Sequence, residues 1–228
     1  MNTQNEQTQS TRIVRSGLRR PNWICRDVKQ NVVLVRDSSG SMEGQKATDA
    51  SNASLDLVAE LANVTNKDGF NVAVVDFSTT AAITSNLDSA ATLNGNIQPI
   101  STSRFGGRTN ITTGLDKAKA ILDSQKKNEE VAFLRPVVIA FSDGCHNEGP
   151  DPNNLATKLK EIADLVTVAF GDDADEDMLK SLASTHQHFY RCRTGRELRS
   201  FLAAVGATMT GTLASRTNAT QALTTIQK

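Results

Sequence analysis

Hydrophobic side chains fall in two alternating arrangements along the chain. Val32-Val33-Leu34-Val35 is an unbroken apolar run, the pattern of a strand buried on both faces of a parallel sheet. Residues 45–66 then place Ala47, Ala50, Ser54, Leu57, Val58, Leu61 and Val64 at spacings of mostly three and four, one face of a helix. Residues 72–77 read as a second strand and 81–84 as a short third. Ile111, Leu115, Ala118 and Leu122 mark a helix over 111–125, followed by a strand at 136–141. A helix through Leu155, Leu159 and Ile162, a strand at 165–170 and a short helix through Met178, Leu179 and Leu182 come next. A last strand at 188–192 and a helix through Leu198, Phe201, Leu202 and Val205 close the pattern. Strands alternating with helices predict an α/β fold, a mostly parallel sheet covered by helices on both faces. In such sheets ligands bind at the carboxyl ends of the strands, near the point where strand order reverses. The places to search are therefore the segments after Arg36, Phe77, Phe141 and Phe170.

Charge changes the picture at the ends. The 228 residues carry 25 basic and 25 acidic side chains, but residues 1–30 hold six basic against two acidic. The organisation expected is a basic arm over 1–30, partly disordered or docking through Pro21 to Cys25, a domain over 31–205, and a C-terminal extension over 206–228. Such an arm suits docking on the body, on a second copy or on an anionic partner. Nucleic acid is a poor candidate, because Trp23 is the only aromatic among few cations. No apolar run reaches the ~18 residues of a membrane span, so no membrane partner is expected. The polar first ten residues do not resemble a secretory leader. Three cysteines without a C-x-x-C pair fit neither a disulfide framework nor a thiolate zinc site, and the expected compartment is the cytoplasm.

The chemistry concentrates after three strands. Asp37-Ser38-Ser39-Gly40-Ser41 supplies one carboxylate and two hydroxyls on alternate positions, which point the same way in an extended loop. Phe141-Ser142-Asp143-Gly144 adds a second carboxylate, and Gly106-Gly107-Arg108-Thr109-Asn110 adds a hydroxyl just before a helix. Two carboxylates and three hydroxyls, Asp37, Ser39, Ser41, Thr109 and Asp143, are hard oxygen donors suited to Mg²⁺ or another small dication.

In that order and at those strand ends, the D-x-S-x-S sequence, the Thr in a Gly-rich loop and the S-D-G sequence resemble the von Willebrand factor A domain and its metal-ion-dependent adhesion site. Gly44, Lys46 and Ile111 to Leu115 also fit, and the resemblance covers about residues 30–205. It implies a Rossmann-like three-layer sandwich. It also implies Mg²⁺ or Mn²⁺ held directly by Ser39 and Ser41, directly or through water by Asp37 and Asp143, and by Thr109 once a partner is engaged. The implied function is a non-catalytic interaction module whose ion takes an Asp or Glu from a partner protein, with Arg36 and Arg108 favouring that acid if they lie nearby. In size the chain is similar to the stand-alone intracellular prokaryotic members associated with tellurium resistance.

Two other classes compete. A phosphotransferase of the haloacid-dehalogenase type needs a second Asp where Ser39 stands, and the Gly40 to Lys46 segment lacks P-loop spacing. His146 is a candidate general base or a plain loop residue, and Cys145 is expected to be a small buried hydrophobe. The acidic cluster of Asp172, Asp173, Asp175, Glu176 and Asp177 is read as a solvated loop and helix start rather than a second cation site. A structural subunit that oligomerises through its N-terminal arm is the third alternative.

Overall fold

The computed structural model describes residues 27–102, 104–125 and 131–226. The arm over 1–26, with its docking stretch at Pro21 to Cys25, lies outside the described residues. The strands are β1 (Asp27–Asp37), β2 (Phe70–Phe77), β3 (Ala81–Ser89), β4 (Val131–Phe133), β5 (Val137–Ser142), β6 (Asp164–Phe170) and β7 (Phe189–Cys192). The helices are α1 (Gln45–Leu61), α2 (Ala90–Leu93), α3 (Ile111–Asp123), α4 (Asn153–Ile162), α5 (Glu176–Leu182), α6 (Gly195–Ala214) and α7 (Thr220–Leu223).

Six of the strands form a sheet in the order β3-β2-β1-β5-β6-β7, and β4 extends β1 at its start. All pairs are parallel except β2 with β3. Alternation along β1 divides the core. Val32 and Leu34 face α1 and α6 with Leu57, Leu198 and Leu202. Val33 and Val35 face α3, α4 and α5 with Leu115, Leu159 and Leu179. This is the helix-covered, mostly parallel sheet expected from the apolar pattern, and the three-layer sandwich that the resemblance implies. The chain runs outward from β1 to β3, then returns past β1 to β5, so strand order reverses between β1 and β5. Their carboxyl ends carry Asp37 and, one residue beyond β5, Asp143.

Several bounds depart from the pattern for local reasons. The helix expected to reach 66 stops at Leu61, because Asn63 caps a separate turn by accepting the Thr65 N–H. Val64, counted on the buried face, is therefore 90% exposed. The short third strand runs on to Ser89 as an antiparallel edge. The closing helix runs past Val205 to Ala214. The segment after it packs on the domain: Ala219 and Leu223 are buried, the Tyr190 hydroxyl donates to the Leu223 carbonyl, and Thr220 Oγ1 donates to Asp164 Oδ2 at 2.6 Å.

Two contacts bring the core up to the site. Gly114 of α3 lets that helix lie close on the sheet, since a Cβ there would stand 2.9 Å from both Phe77 Cδ1 and Val35 Cγ1. Arg36, fully buried, is bonded through Nε and Nη2 to the two carboxylate oxygens of Asp76 on β2 at 2.7 and 3.0 Å. Its Nη2 also donates to the Gln98 carbonyl at 3.0 Å, tying the loop over 94–100 to the sheet. Its Nη1 has no hydrogen-bond partner.

Candidate metal centre

The end of β1 delivers Asp37 into a fully buried position. Its Oδ1 accepts the Ser39 N–H at 2.8 Å, and its Oδ2 accepts the Ser142 hydroxyl. The segment after it is a tight 3₁₀ turn over Gly40–Met42 rather than the extended loop expected. The turn still brings Ser39 and Ser41 together, with their Oγ atoms 3.0 Å apart. Ser41 then donates to Asp143 Oδ1 at 2.7 Å. Four of the five predicted oxygen-bearing side chains thus form one connected group across two strand ends. Thr109 approaches from a third loop. A Cβ placed on Gly144 would lie 3.3 Å from both Ser41 Oγ and Thr109 Oγ1, so the two hydroxyls face the same small residue.

The loop after Asp143 holds Thr109 in place. Asn147 accepts the Thr109 N–H at 2.9 Å and donates its own N–H to the Thr109 carbonyl at 3.0 Å. His146 Nδ1 accepts the Ile111 N–H at 3.2 Å, Arg108 pairs with Glu148 at 3.2 Å, and Thr112 donates to the Pro150 carbonyl. His146 is therefore committed through Nδ1 to the start of α3, which removes that nitrogen as a general base.

The surroundings differ from the sequence expectation in three ways. Arg36 points away into the core and pairs with Asp76, so it lends no charge to the site. The cation beside the site is instead Lys46, whose Nζ lies 2.6 Å from Asp143 Oδ2. Cys145 is exposed rather than buried, because it lies in the loop beyond β5 and not on the strand. Sequence reasoning also passed over Ser142 and Asn147. Ser142 stands in the S-D-G sequence directly before the carboxylate, and nothing in the spacing marks Asn147. The acidic cluster is satisfied locally. Asp175 caps α5 by accepting the Met178 N–H, and Glu176 and Asp172 pair with Arg191. Among the described residues no group of three or more His, Cys, Asp and Glu is placed to hold an ion. The candidate centre here has only two carboxylates and takes its remaining donors from hydroxyls.

The electrostatics suit a cation. Burial pushes the Asp37 carboxyl up to about 6, against the pull of its bonds from Ser142 and Ser39, with the Asp143 charge adding to the rise. A dication would supply the compensation that the protein gives Asp37 only in part. The 3.0 Å between the serine hydroxyls also matches the separation of about 3.0 Å for neighbouring ligands on an octahedral ion with bonds near 2.1 Å. The serine hydrogens have carboxylate or hydroxyl acceptors, which leaves lone pairs for an ion.

The profile of the von Willebrand factor type A domain matches residues 31–204. The chain belongs to this family. This von Willebrand factor type A domain is 29% identical over 169 residues to human inter-alpha-trypsin inhibitor heavy chain H4, a match covering 68% of this chain and 17% of that protein. The chain thus spans under a fifth of the length of that curated relative. Among solved structures, the domain is similar to proximal thread matrix protein 1 from the mussel byssus with a zinc-occupied MIDAS motif. That likeness has a TM-score of 0.66 and 24% identity, covering 81% of this chain and 46% of the other. It is also similar to the von Willebrand factor domain of a type V pili tip protein from Porphyromonas gingivalis, with a TM-score of 0.67 and 15% identity over 82% of this chain and 97% of the other. These likenesses establish the fold. No described helix is long and apolar enough to cross a membrane.

Proposed function

We propose that this domain is a metal-dependent docking module. Asp37, Ser39, Ser41, Thr109 and Asp143 hold Mg²⁺ or Mn²⁺, and a partner protein completes the ion with an Asp or Glu. The carrying observation is the connected group of Asp37, Ser39, Ser41 and Asp143, with the Thr109 hydroxyl facing it across Gly144. When bound, the ion supplies an electrophilic seat for an outside carboxylate. Asp37 and Asp143 position the serine hydroxyls, and Asn147 sets the height of Thr109. A contact of this kind in a partly desolvated crevice is strong and geometry-specific.

A non-catalytic role is supported by the same geometry. Ser39 stands where a phosphotransferase needs an acid, and His146 Nδ1 already serves a backbone amide. The zinc-occupied MIDAS of the byssus protein supports metal binding at this type of site. The cytoplasm is the compartment proposed, on an odd cysteine count with no C-x-x-C pair in the sequence.

The test begins with the chelator-treated chain. Adding Mg²⁺ or Mn²⁺ at a hundredfold over the dissociation constant is expected to stabilise it by about 2.7 kcal/mol, read as a rise of several degrees in melting temperature. Immobilised protein should then retain a partner from its native cell in Mg²⁺ and release it in chelator. Retention that survives chelation overturns the reading.

Binding should depend on pH with a definite sign. The ion requires ionised Asp37, whose carboxyl titrates at about 6 in the metal-free fold. Affinity for Mn²⁺ is therefore expected to be level above pH 6 and to fall about tenfold per unit below it. Titrations at pH 5, 6 and 7 read this directly. Without an ion, the neutral acid suits the buried position better than the carboxylate. This group's contribution to stability is then intact below its ordinary pKa of 3.8 and is lost as pH rises through about 6.

A further inference from the structure

We propose that Lys46 sets the charge of this site: its ammonium, held on Asp143, weakens the ion's binding and keeps the loaded site positive enough to demand an anion. The inference rests on the metal reading above. Lys46 Nζ lies 2.6 Å from Asp143 Oδ2, while Asp143 Oδ1 takes the Ser41 hydroxyl. One oxygen of the carboxylate thus serves the lysine and the other serves the serine pair. The Lys46 side chain is 32% exposed while Asp143 is fully buried, so the ammonium stands at the mouth of the crevice, where an arriving group meets it.

The placement of Lys46 is otherwise unfavourable. It is the second residue of α1, where the helix dipole disfavours a cation, and the first turn carries no acid to offset it. The offset comes across the site from Asp143. Formal charge then decides what the site accepts. Two carboxylates and one ammonium sum to −1, and a dication raises this to +1. Without Lys46 the loaded site would be formally neutral and would attract a carboxylate less strongly. The lysine therefore exchanges some affinity for the ion for selectivity toward an acidic partner, and its exposed ammonium gives the partner's carboxylate a second contact.

The experiment compares Mn²⁺ titrations of the chelator-treated full chain, Lys46→Gln, Lys46→Arg and Asp37→Asn at pH 7. Each is run in sodium chloride and in sodium acetate of equal ionic strength, acetate being the carboxylate probe. Repulsion between this ammonium and a dication that would share the same carboxylate group is expected to change affinity by about tenfold or more, even at a water-like dielectric. Lys46→Gln is thus expected to bind Mn²⁺ that much more tightly, and Lys46→Arg to match the native chain. Acetate should tighten Mn²⁺ binding by the native chain and by Lys46→Arg, and tighten that of Lys46→Gln less. Equal or weaker Mn²⁺ binding by Lys46→Gln, with its melting curve intact, overturns the proposal and leaves the metal reading standing. Absence of Mn²⁺ binding by both the native chain and Lys46→Gln overturns the metal reading itself. Binding by Lys46→Gln alone makes the lysine the resident cation and overturns both.

Discussion

Asp37→Asn is expected to abolish Mg²⁺ and Mn²⁺ binding, a loss of at least a hundredfold in affinity, while making the metal-free protein more stable at neutral pH. The two effects share one cause. The Asp37 carboxylate is fully buried, and burial pushes its pKa from the ordinary 3.8 up to about 6. Each unit corresponds to about 1.4 kcal/mol of disfavour for the ionised form. The amide is the same shape, carries no charge, and still offers an oxygen to the Ser39 N–H. Its gain at pH 7 should be about 1–3 kcal/mol, reduced by the rearranged bond to Ser142. Chemical denaturation in chelator and Mn²⁺ titration check the two halves separately. A variant that binds the ion normally removes Asp37 from the centre. A variant that is less stable without metal shows that the carboxylate is better compensated than its burial implies.

The second large effect lies one residue earlier. Arg36→Ala is expected to cost about 3–5 kcal/mol, because it strands the Asp76 carboxylate in the core and frees the loop at Gln98. For a domain of this size that is a drop of roughly 10 °C in melting temperature. Asp76→Ala should cost a similar amount by stranding the guanidinium. Replacing both, as Arg36→Met with Asp76→Leu, should recover most of the loss. The pair spends desolvation on two charges and still leaves Arg36 Nη1 without a partner. Thermal and urea unfolding of the native chain, Arg36→Met, Asp76→Leu and the two together complete the cycle. Near-additive costs would mean that the two side chains act independently.

The contrast between Arg36 and Lys46 marks how far the sequence can be read. Unbroken apolar runs named β1, β2, β5 and β6 because both sheet faces are covered, and the three ligand loops followed from the strand ends. β4 and α2 escaped notice because three- and four-residue elements carry no period. Val64 was misplaced because a capping Asn63, and not a change in periodicity, ends α1. Around the site, type and spacing identified the oxygen donors, since those donors must converge for the chemistry. The neighbouring charges were misassigned for a different reason. Arg36 is adjacent to Asp37 in sequence, but alternation along β1 turns it onto the opposite face, toward Asp76. Lys46 is nine residues away, yet the turn at Gly40–Met42 folds α1 back over the crevice and brings it within bonding distance. The roles of Ser142 and Asn147 rest on contacts across loops, which no local pattern announces.

The bonds that join the segment over 146–150 to the one over 108–112 bear on how such a module is controlled. Thr109 cannot slide toward or away from Asp143 alone, since both of its backbone groups are taken by Asn147 and its neighbours are stitched on either side. A shift would have to carry the whole stitched lip together or tear several bonds at once. In the proposed module such a socket would shift only as one stitched piece, so engagement is expected to answer first to ion supply, acidity and the availability of the partner.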